Sequence, residues 1–275
     1  MVIGAKSVAI LVVIALLQFA IYVLFLKPIT STWGASKKEI AIPLAGDDLA
    51  PFIVSTRAIT INAPKADVWK WLIQLGADRG GFYSYSFLER LGGYKTKTRE
   101  IIRPEFKELK VGDIVRGSID TEISLIVFEF PVRYVEPERT FVLENWGTFL
   151  LQEISANQTR LIVRTQNIEP SKIWRTVIRY IGLPHHYIME RRMLMGIKER
   201  VEAGEGVHLS PITDILWFSG IVLSGFGIFI LILIDRGIQP FLLLLAFSFY
   251  GSQHCLFLGL YLYIVSACSF LCLLP

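Results

Sequence analysis

The stretch STRAITINAPKADVWKWLIQLG, residues 55–76, decides the fold. It begins inside the β-branched run FIVSTRAITI at 52–61, which predicts a strand, and Asn62-Ala63-Pro64 ends that strand. After the proline, apolar residues recur every three or four positions as far as Gly76. This spacing predicts an amphipathic helix that starts near Pro64 and follows the strand directly.

The sequence that follows predicts a series of short strands and a long final helix. The strand-like runs lie at 113–118, 122–130, 132–135, 139–145, 147–154 and 159–168, with Pro131 and Pro137 between runs. Helices are predicted at 84–91, 171–182 and 185–204. This order predicts an α+β domain over residues 52–206, in which a curved antiparallel sheet wraps the last helix.

This order and four local motifs resemble the SRPBCC superfamily, the START and polyketide-cyclase-like helix-grip domains. The motifs are GADRGGFYSYSFLERLGG (76–93), VGDIV (111–115), TRLIVRTQ (159–166) and MERRMLMGIKER (189–200). The likeness covers residues 52–204 and points to a bacterial-type, membrane-anchored member. It implies a cavity between sheet and long helix for an apolar or amphipathic ligand such as a lipid, sterol, quinone or polyketide. Such domains include carriers, sensors and a few cyclases, so the motifs identify a fold better than a reaction.

Both ends of the chain are apolar. Of its 275 residues 53% are hydrophobic and 19% charged, and the mean hydropathy is +0.50. Residues 8–26 and 215–234 carry no charged side chain, and each run is close to the ~20 residues that cross a bilayer as a helix. We therefore predict an N-terminal transmembrane anchor (1–27), a linker (28–51) and a C-terminal transmembrane region of two or three spans (211–275). A cleaved signal peptide is the alternative for the first run.

The distribution of Lys and Arg predicts the orientation of such a protein. The central domain is flanked by Lys27, Lys37, Lys38, Lys198 and Arg200, against Lys6 and Arg236 on the other side. By the positive-inside rule this predicts an integral protein of the cell membrane with a cytoplasmic soluble domain. All three cysteines lie in the last apolar run, so a disulfide-stapled extracellular module is excluded. The net charge of +4 is too diffuse for a nucleic-acid site.

The loop RGGFYSY at 79–85 holds the densest set of aromatic and charged side chains. Gly80-Gly81 gives it a permissive backbone, so it could gate a pocket where Arg79, Tyr83 and Tyr85 meet the polar end of a ligand. The alternative is a plug, in which loop aromatics cover the core and Arg79 caps the preceding helix.

Further candidate residues lie on the long helix and the sheet. The stripe Met189, Met193 and Ile197 suits an adaptable pocket wall, although ordinary core packing has the same spacing. Trp146 lies near a strand end, and Arg164 is either an anion partner or a structurally paired arginine. The predicted ligand-binding residues are therefore Arg79, Tyr83, Tyr85, Trp146, Arg164, Met189, Met193 and Ile197.

No GxGxxG, Walker, HExxH or GxSxG motif is present. His185, His186 and Glu190 lack a third zinc ligand at suitable spacing, so we predict no metal and no cofactor. The sequence offers no general base poised by a partner, which favours a protein that is not an enzyme.

These observations predict membrane-tethered binding of a lipid or other hydrophobic or amphipathic molecule, by a carrier or sensor. The expected partners are the lipid bilayer and the hydrophobic ligand, without nucleic acid. One alternative is a membrane-bound cyclase- or aromatase-like or lipid-modifying enzyme. Another is a membrane assembly protein whose domain binds no ligand.

Overall fold

The computed structural model describes residues 22–49, 52–91, 95–96, 98–119, 129–167 and 183–210, with isolated positions between 13 and 20 and between 212 and 223. The chain divides into two compact units. One comprises Ser31–Val177 and His186–Ser210, and it contains the sheet. The other comprises Met1–Thr30, Ile178–His185 and Pro211–Pro275.

In the described residues six strands form one antiparallel sheet. They are β1 (Phe52–Ile61), β2 (Ile114–Arg116), β3 (Glu129–Glu136), β4 (Thr140–Leu143), β5 (Gly147–Ser155) and β6 (Gln158–Asn167). Their order across the sheet is β1-β6-β5-β4-β3-β2, so the first strand pairs with the last. The other pairings join strands that follow one another in the chain, as short hairpin connections favour.

Five short or medium α-helices are described: α1 (Lys27–Ser31), α2 (Lys37–Ala41), α3 (Lys65–Leu72), α4 (Ser86–Leu91) and α5 (Leu183–Ala203). A π-helical turn at Tyr22–Leu26 precedes α1, and a 3₁₀ turn covers Pro104–Phe106. Pro64 stands immediately before α3, where its missing N–H removes no helical hydrogen bond.

The inner face of the sheet carries the hydrophobic core. Leu161 and Val163 of β6 are fully buried there, in one cluster with Phe149 of β5. Helix α3 adds Val68, Trp69, Trp71 and Leu72 to this core, and α5 adds Met193, Leu194 and Ile197. Full burial of such side chains stabilises the fold by roughly 1.5–3 kcal/mol each.

Two arginines of β6 hold helix α2 against the outer face. Ser36 and Glu39 form a capping box at the start of α2, and Glu39 also accepts from Arg160 Nε at 2.7 Å. Arg164 donates to the carbonyl oxygens of Glu39, Ile40 and Ile42. These carbonyls end a helix and lack helical partners, so the guanidinium satisfies them.

The prediction of transmembrane helices on both sides of the domain is wrong. Among the described residues no helix is both long and apolar enough to cross a bilayer. An apolar composition alone does not establish a transmembrane helix, because such a helix needs about 20 apolar residues in one continuous helical segment. At Tyr22–Leu26 the backbone is π-helical and runs into Lys27. Much of 8–26, most of 215–234 and all of 238–275 lie outside the described residues.

The predicted fold class is corrected accordingly. It was a helix-grip domain flanked by transmembrane helices, and the structure instead has a six-stranded antiparallel sheet with few helices. The predicted localisation, an integral protein of the cell membrane with a cytoplasmic domain, depended on the spans and is withdrawn with them, as is membrane tethering.

Two local predictions also changed. Pro131 lies inside β3, opposite Ile114, rather than between strands. It is tolerated there because β2 is a three-residue edge strand that needs few ladder hydrogen bonds. Helix α2 and most of α1 lie within the segment predicted as a linker, residues 28–51. The predicted helix at 171–182, and the strand at 122–130 as far as residue 128, lie outside the described residues.

Candidate functional site

Tyr83 anchors the aromatic loop to α3 and α5. Its side chain is 1% exposed, and its hydroxyl donates to the Trp71 carbonyl at 3.2 Å. The ring packs edge-to-face on Trp71 at 5.7 Å, and the Arg200 guanidinium lies 5.0 Å from its centroid. Burial raises the pKa of Tyr83, so the phenol remains a hydrogen-bond donor.

Glycine allows this loop to approach its neighbours closely. A Cβ on Gly196 of α5 would lie 2.0 Å from the Tyr83 carbonyl oxygen, and one on Gly80 would lie 2.4 Å from the Tyr83 hydroxyl. Tyr83 itself has a φ of 55°, which non-glycine residues adopt only when their surroundings impose it. The loop is therefore fixed by packing.

Arg79 and Tyr85, the predicted contacts for a polar ligand group, are occupied by protein partners. Arg79 Nη1 donates to the Ile73 carbonyl at 3.2 Å, at the end of α3, and its guanidinium lies 5.1 Å from the Phe106 ring centroid. Tyr85 is 6% exposed and packs on Phe87. These contacts resemble the alternative in which the loop aromatics cover the core and Arg79 caps the preceding helix. A role for either residue in ligand binding stays a prediction.

Trp146, in the turn between β4 and β5, is the centre of an aromatic group. Its ring lies 5.6 Å from Phe82, 5.1 Å from Phe130 and 5.4 Å from Phe149. We call these four residues the Trp146 cluster. Phe149 is buried beneath the others, whereas Phe82, Phe130 and Trp146 each keep part of their surface exposed. Three of the four aromatic residues are therefore partly exposed, and all of them pack against the hydrophobic core.

The indole of Trp146 has an unused hydrogen-bond donor. Its Nε1 is buried and has no partner among the described residues. A buried donor left unpaired costs about 1–3 kcal/mol. Such a group is uncommon in a native structure, where buried donors are paired with protein groups or ordered water.

The three predicted ligand-binding residues of α5 differ in how deeply they are buried. Met193 and Ile197 are 2% and 0% exposed and belong to the hydrophobic core. Met189 is half-buried, and its carbonyl accepts from Ser84 Oγ at 2.8 Å. The structure thus places Tyr83, Met193 and Ile197 in one core, with Trp146 packed against it.

Arg164 is on the opposite face of the sheet from these residues. It alternates with Val163, a core residue, and its guanidinium bonds α2 carbonyls, Thr56 and Asp47 on the outer face. All five N–H donors have partners, so none remains for an anion.

Comparison with known proteins leaves the family open. No model of a protein family and no curated protein matches the chain. One similar solved structure is a conserved protein of unknown function, EF2215 from Enterococcus faecalis, with 17% identity over 57% of this chain and 73% of that one, at a TM-score of 0.33. Another is the self-sacrificing resistance protein CalC from Micromonospora echinospora, with 13% identity over 57% and 97% of the two chains, at a TM-score of 0.35. Likenesses this distant decide neither fold nor function, and membership of the SRPBCC superfamily stays a prediction.

A buried ion pair between β1 and α5 was missed by the sequence analysis. Arg57 Nη1 lies 2.7 Å from Glu190 Oε1, with side chains 3% and 1% exposed. Thr165 donates to the other carboxylate oxygen at 2.7 Å, and His186 Nε2 lies 3.4 Å from it. Burial acts to raise the pKa of Glu190, but the charges of Arg57 and His186 and the Thr165 hydrogen bond outweigh it and hold that pKa below 4.5.

This ion pair fixes the position of α5 on the sheet. Both ring nitrogens of His186 face partners, since Nδ1 also lies 3.4 Å from Arg57 Nη1. Neither nitrogen is therefore available as a free base or metal ligand. In the part of the chain that the structure describes, no group of three or more His, Cys, Asp or Glu side chains could hold a metal. In β1 the alternation of Ser55, Arg57 and Ile59 indicates that the Arg57 side chain is on the same face of the sheet as Ile59. No pattern in the sequence indicates that its partner is Glu190, 133 positions later.

Proposed function

We propose that the domain binds an apolar or amphipathic small molecule at the Trp146 cluster, as a carrier or sensor. The aromatic rings would hold the apolar body of the ligand, and the Trp146 N–H would donate to a carbonyl, ester or similar oxygen. A lipid or another hydrophobic molecule with one such oxygen fits this description.

The unpartnered Trp146 Nε1 is the observation that carries the proposal. Buried polar groups in proteins are paired in the great majority of cases, and this donor lies among apolar rings with no described acceptor. A ligand oxygen would remove the free-energy cost of that unpaired donor. Apolar binding sites use this pattern of many hydrophobic contacts and few placed polar groups.

The ring arrangement supports the same proposal. Phe82, Phe130 and Trp146 come from three segments distant in sequence, and all keep exposed surface. Below them, Phe149 stacks on Phe141 at 4.7 Å, and Phe141 meets Trp69 at 5.8 Å. The partly exposed aromatic residues thus pack on a connected group of buried aromatic rings.

Equilibrium dialysis of the full chain against two matched compounds tests the proposal. Menadione carries two carbonyl acceptors, and 2-methylnaphthalene has a similar ring system with none. We expect wild type to bind menadione about threefold to tenfold more tightly than 2-methylnaphthalene, as one net hydrogen bond provides. Trp146→Phe, which keeps an aromatic ring and removes the donor, should abolish that preference.

Trp33→Phe is the control, because it removes an indole that stacks under Arg191 outside the cluster. It should keep the wild-type preference. Absence of saturable binding to wild type, or a preference for menadione that survives Trp146→Phe, contradicts the proposed site.

A further inference from the structure

Phe82 belongs to the Trp146 cluster but lies in a loop, whereas Phe130 and Phe149 are held by the pairing of β3 and β5 with their neighbours. The Phe82 ring lies 5.6 Å from that of Trp146, and the residue keeps part of its surface exposed. A phenylalanine has no polar group that could fix its position. The place of this ring therefore depends on its packing and on what holds the loop backbone.

The backbone on the N-terminal side of Phe82 is tied to the segment that follows α3. Gly81 and Gly76 exchange two backbone hydrogen bonds, at 2.8 and 3.2 Å. Gly80 N also donates to the Gln74 carbonyl at 2.7 Å. Both acceptor segments come directly after the end of α3. One side of the loop is therefore attached to α3.

Tyr83 holds the other side of Phe82. Its hydroxyl donates to the Trp71 carbonyl of α3 at 3.2 Å, and its own carbonyl oxygen lies against α5, where a Cβ on Gly196 would be 2.0 Å away. The Tyr83 backbone is left-handed, with φ 55°, a conformation that its surroundings must impose. Tyr83 thus links both α3 and α5 to the neighbouring residue that contacts Trp146.

We propose that Tyr83 is a positioning residue of the Trp146 cluster. Its contacts with α3 and α5 set the place of the Phe82 ring beside Trp146 and thereby the affinity for a ligand. Tyr83 itself touches no ligand in this role, because its side chain is 1% exposed. This differs from the contact with a polar ligand group that the sequence predicted. The effect on affinity rests on the proposed function, whereas the effect on the contact between Phe82 and Trp146 needs no ligand.

Fluorine NMR of the ligand-free full chain, labelled with 5-fluorotryptophan, tests the positioning step. The Trp146 resonance is the one that Trp146→Phe removes. Tyr83→Phe deletes only the hydroxyl that bonds Trp71, and it should shift the Trp146 resonance by more than the linewidth. In a Phe82→Ala background the same substitution should leave that resonance in place, because Tyr83 acts through the Phe82 ring.

Thr159→Val is the matched control. Thr159 is fully buried and its hydroxyl donates to the Ala63 carbonyl at 2.8 Å, so this variant also loses a buried bond from a hydroxyl to a carbonyl. Thr159 lies near the start of β6, whereas the Trp146 carbonyl accepts from Gln166 near the end of that strand. We expect Thr159→Val and Tyr83→Phe to lower the melting temperature by similar amounts, and Thr159→Val to leave the Trp146 resonance unchanged.

Equilibrium dialysis with menadione tests the consequence for binding. Tyr83→Phe should weaken menadione binding about threefold relative to wild type, as coupled neighbouring residues do. Thr159→Val should bind menadione as wild type does. In the Phe82→Ala background, Tyr83→Phe should cause no further loss of affinity.

Two results would overturn the positioning role of Tyr83. One is a Trp146 resonance that Tyr83→Phe leaves in place or shifts equally with and without the Phe82 ring. The other is a wild-type protein that binds menadione and a Tyr83→Phe variant that binds it equally well. If wild type shows no saturable binding but the Trp146 resonance responds as expected, the proposed function fails while the positioning of Phe82 by Tyr83 is upheld.

Discussion

Arg164 Nη1 lies 2.7 Å from Asp47 Oδ2, and the arginine side chain is only 1% exposed. The remaining N–H groups of the same guanidinium donate to Thr56 and to carbonyls at the end of α2, so no donor is left over. One residue of β6 thus attaches the segment before β1 to the outer face of the sheet.

Arg164→Met should destabilise the protein by about 3–5 kcal/mol. The substitution leaves helix-terminal carbonyls without their donor and the Asp47 carboxylate without its charge partner, and breaking a buried ion pair has an effect of this size. Urea unfolding of the full chain measures it. Arg139→Met is the matched control, because its ion pair is exposed and should contribute less than about 1 kcal/mol. Similar losses in the two variants would contradict this role of Arg164.

Glu190 should make the free energy of unfolding depend on pH in the acid range. Its pKa in the folded protein is held below 4.5, so its ionised form stabilises the fold above about pH 4.5, and this contribution is lost as pH falls further. The free energy of unfolding of wild type should therefore decrease below pH 4.5. Glu190→Gln should show a weaker pH dependence there and a lower stability at pH 7, since it leaves Arg57 buried without its charge partner.

A control variant separates this effect from general acid unfolding. Asp67→Asn removes an exposed carboxylate paired with Lys70 and should keep the wild-type pH profile. If Glu190→Gln and wild type lose stability in parallel from pH 5 to pH 3, Glu190 is not the group responsible.

Gly196→Ala should destabilise the domain by several kcal/mol. The added methyl would lie 2.0 Å from the Tyr83 carbonyl oxygen, so either the loop or α5 must move. Gly220→Ala adds the same methyl where no heavy atom of the described residues lies within 4 Å, and it should be neutral or slightly stabilising. Thermal unfolding followed by circular dichroism compares them, and an unchanged melting temperature in Gly196→Ala would refute the close contact.

Elements with a clear hydrophobic period were predictable from sequence. The strand predicted at 52–61 is Phe52–Ile61, and the one predicted at 159–168 is Gln158–Asn167. The long helix predicted at 185–204 is Leu183–Ala203. Each has enough residues for alternation or a 3.6-residue period to be unambiguous.

The partners of individual polar residues were not predictable. Arg164 was a candidate anion partner or a structurally paired arginine, and its actual partner is a helix more than 110 positions earlier, in the segment predicted as a linker. Residues that meet only through the tertiary fold leave no local pattern. The transmembrane prediction depended on apolar composition, whereas no helix among the described residues is both long and apolar enough to cross a bilayer.

The Trp146 cluster was only partly predictable. Trp146 was a candidate from its place near a strand end, but Phe130 was not, because it lies in another strand and meets Trp146 only through sheet pairing.

Fluorine NMR of the full chain labelled with 5-fluorotryptophan tests the central claim most directly. The chain has six tryptophans, and the Trp146 resonance is the one that Trp146→Phe removes. On titration with menadione we predict that this resonance shifts saturably, while Trp33 and the buried Trp71 change little. A Trp146 resonance that stays unchanged at saturating menadione would contradict the proposed binding site.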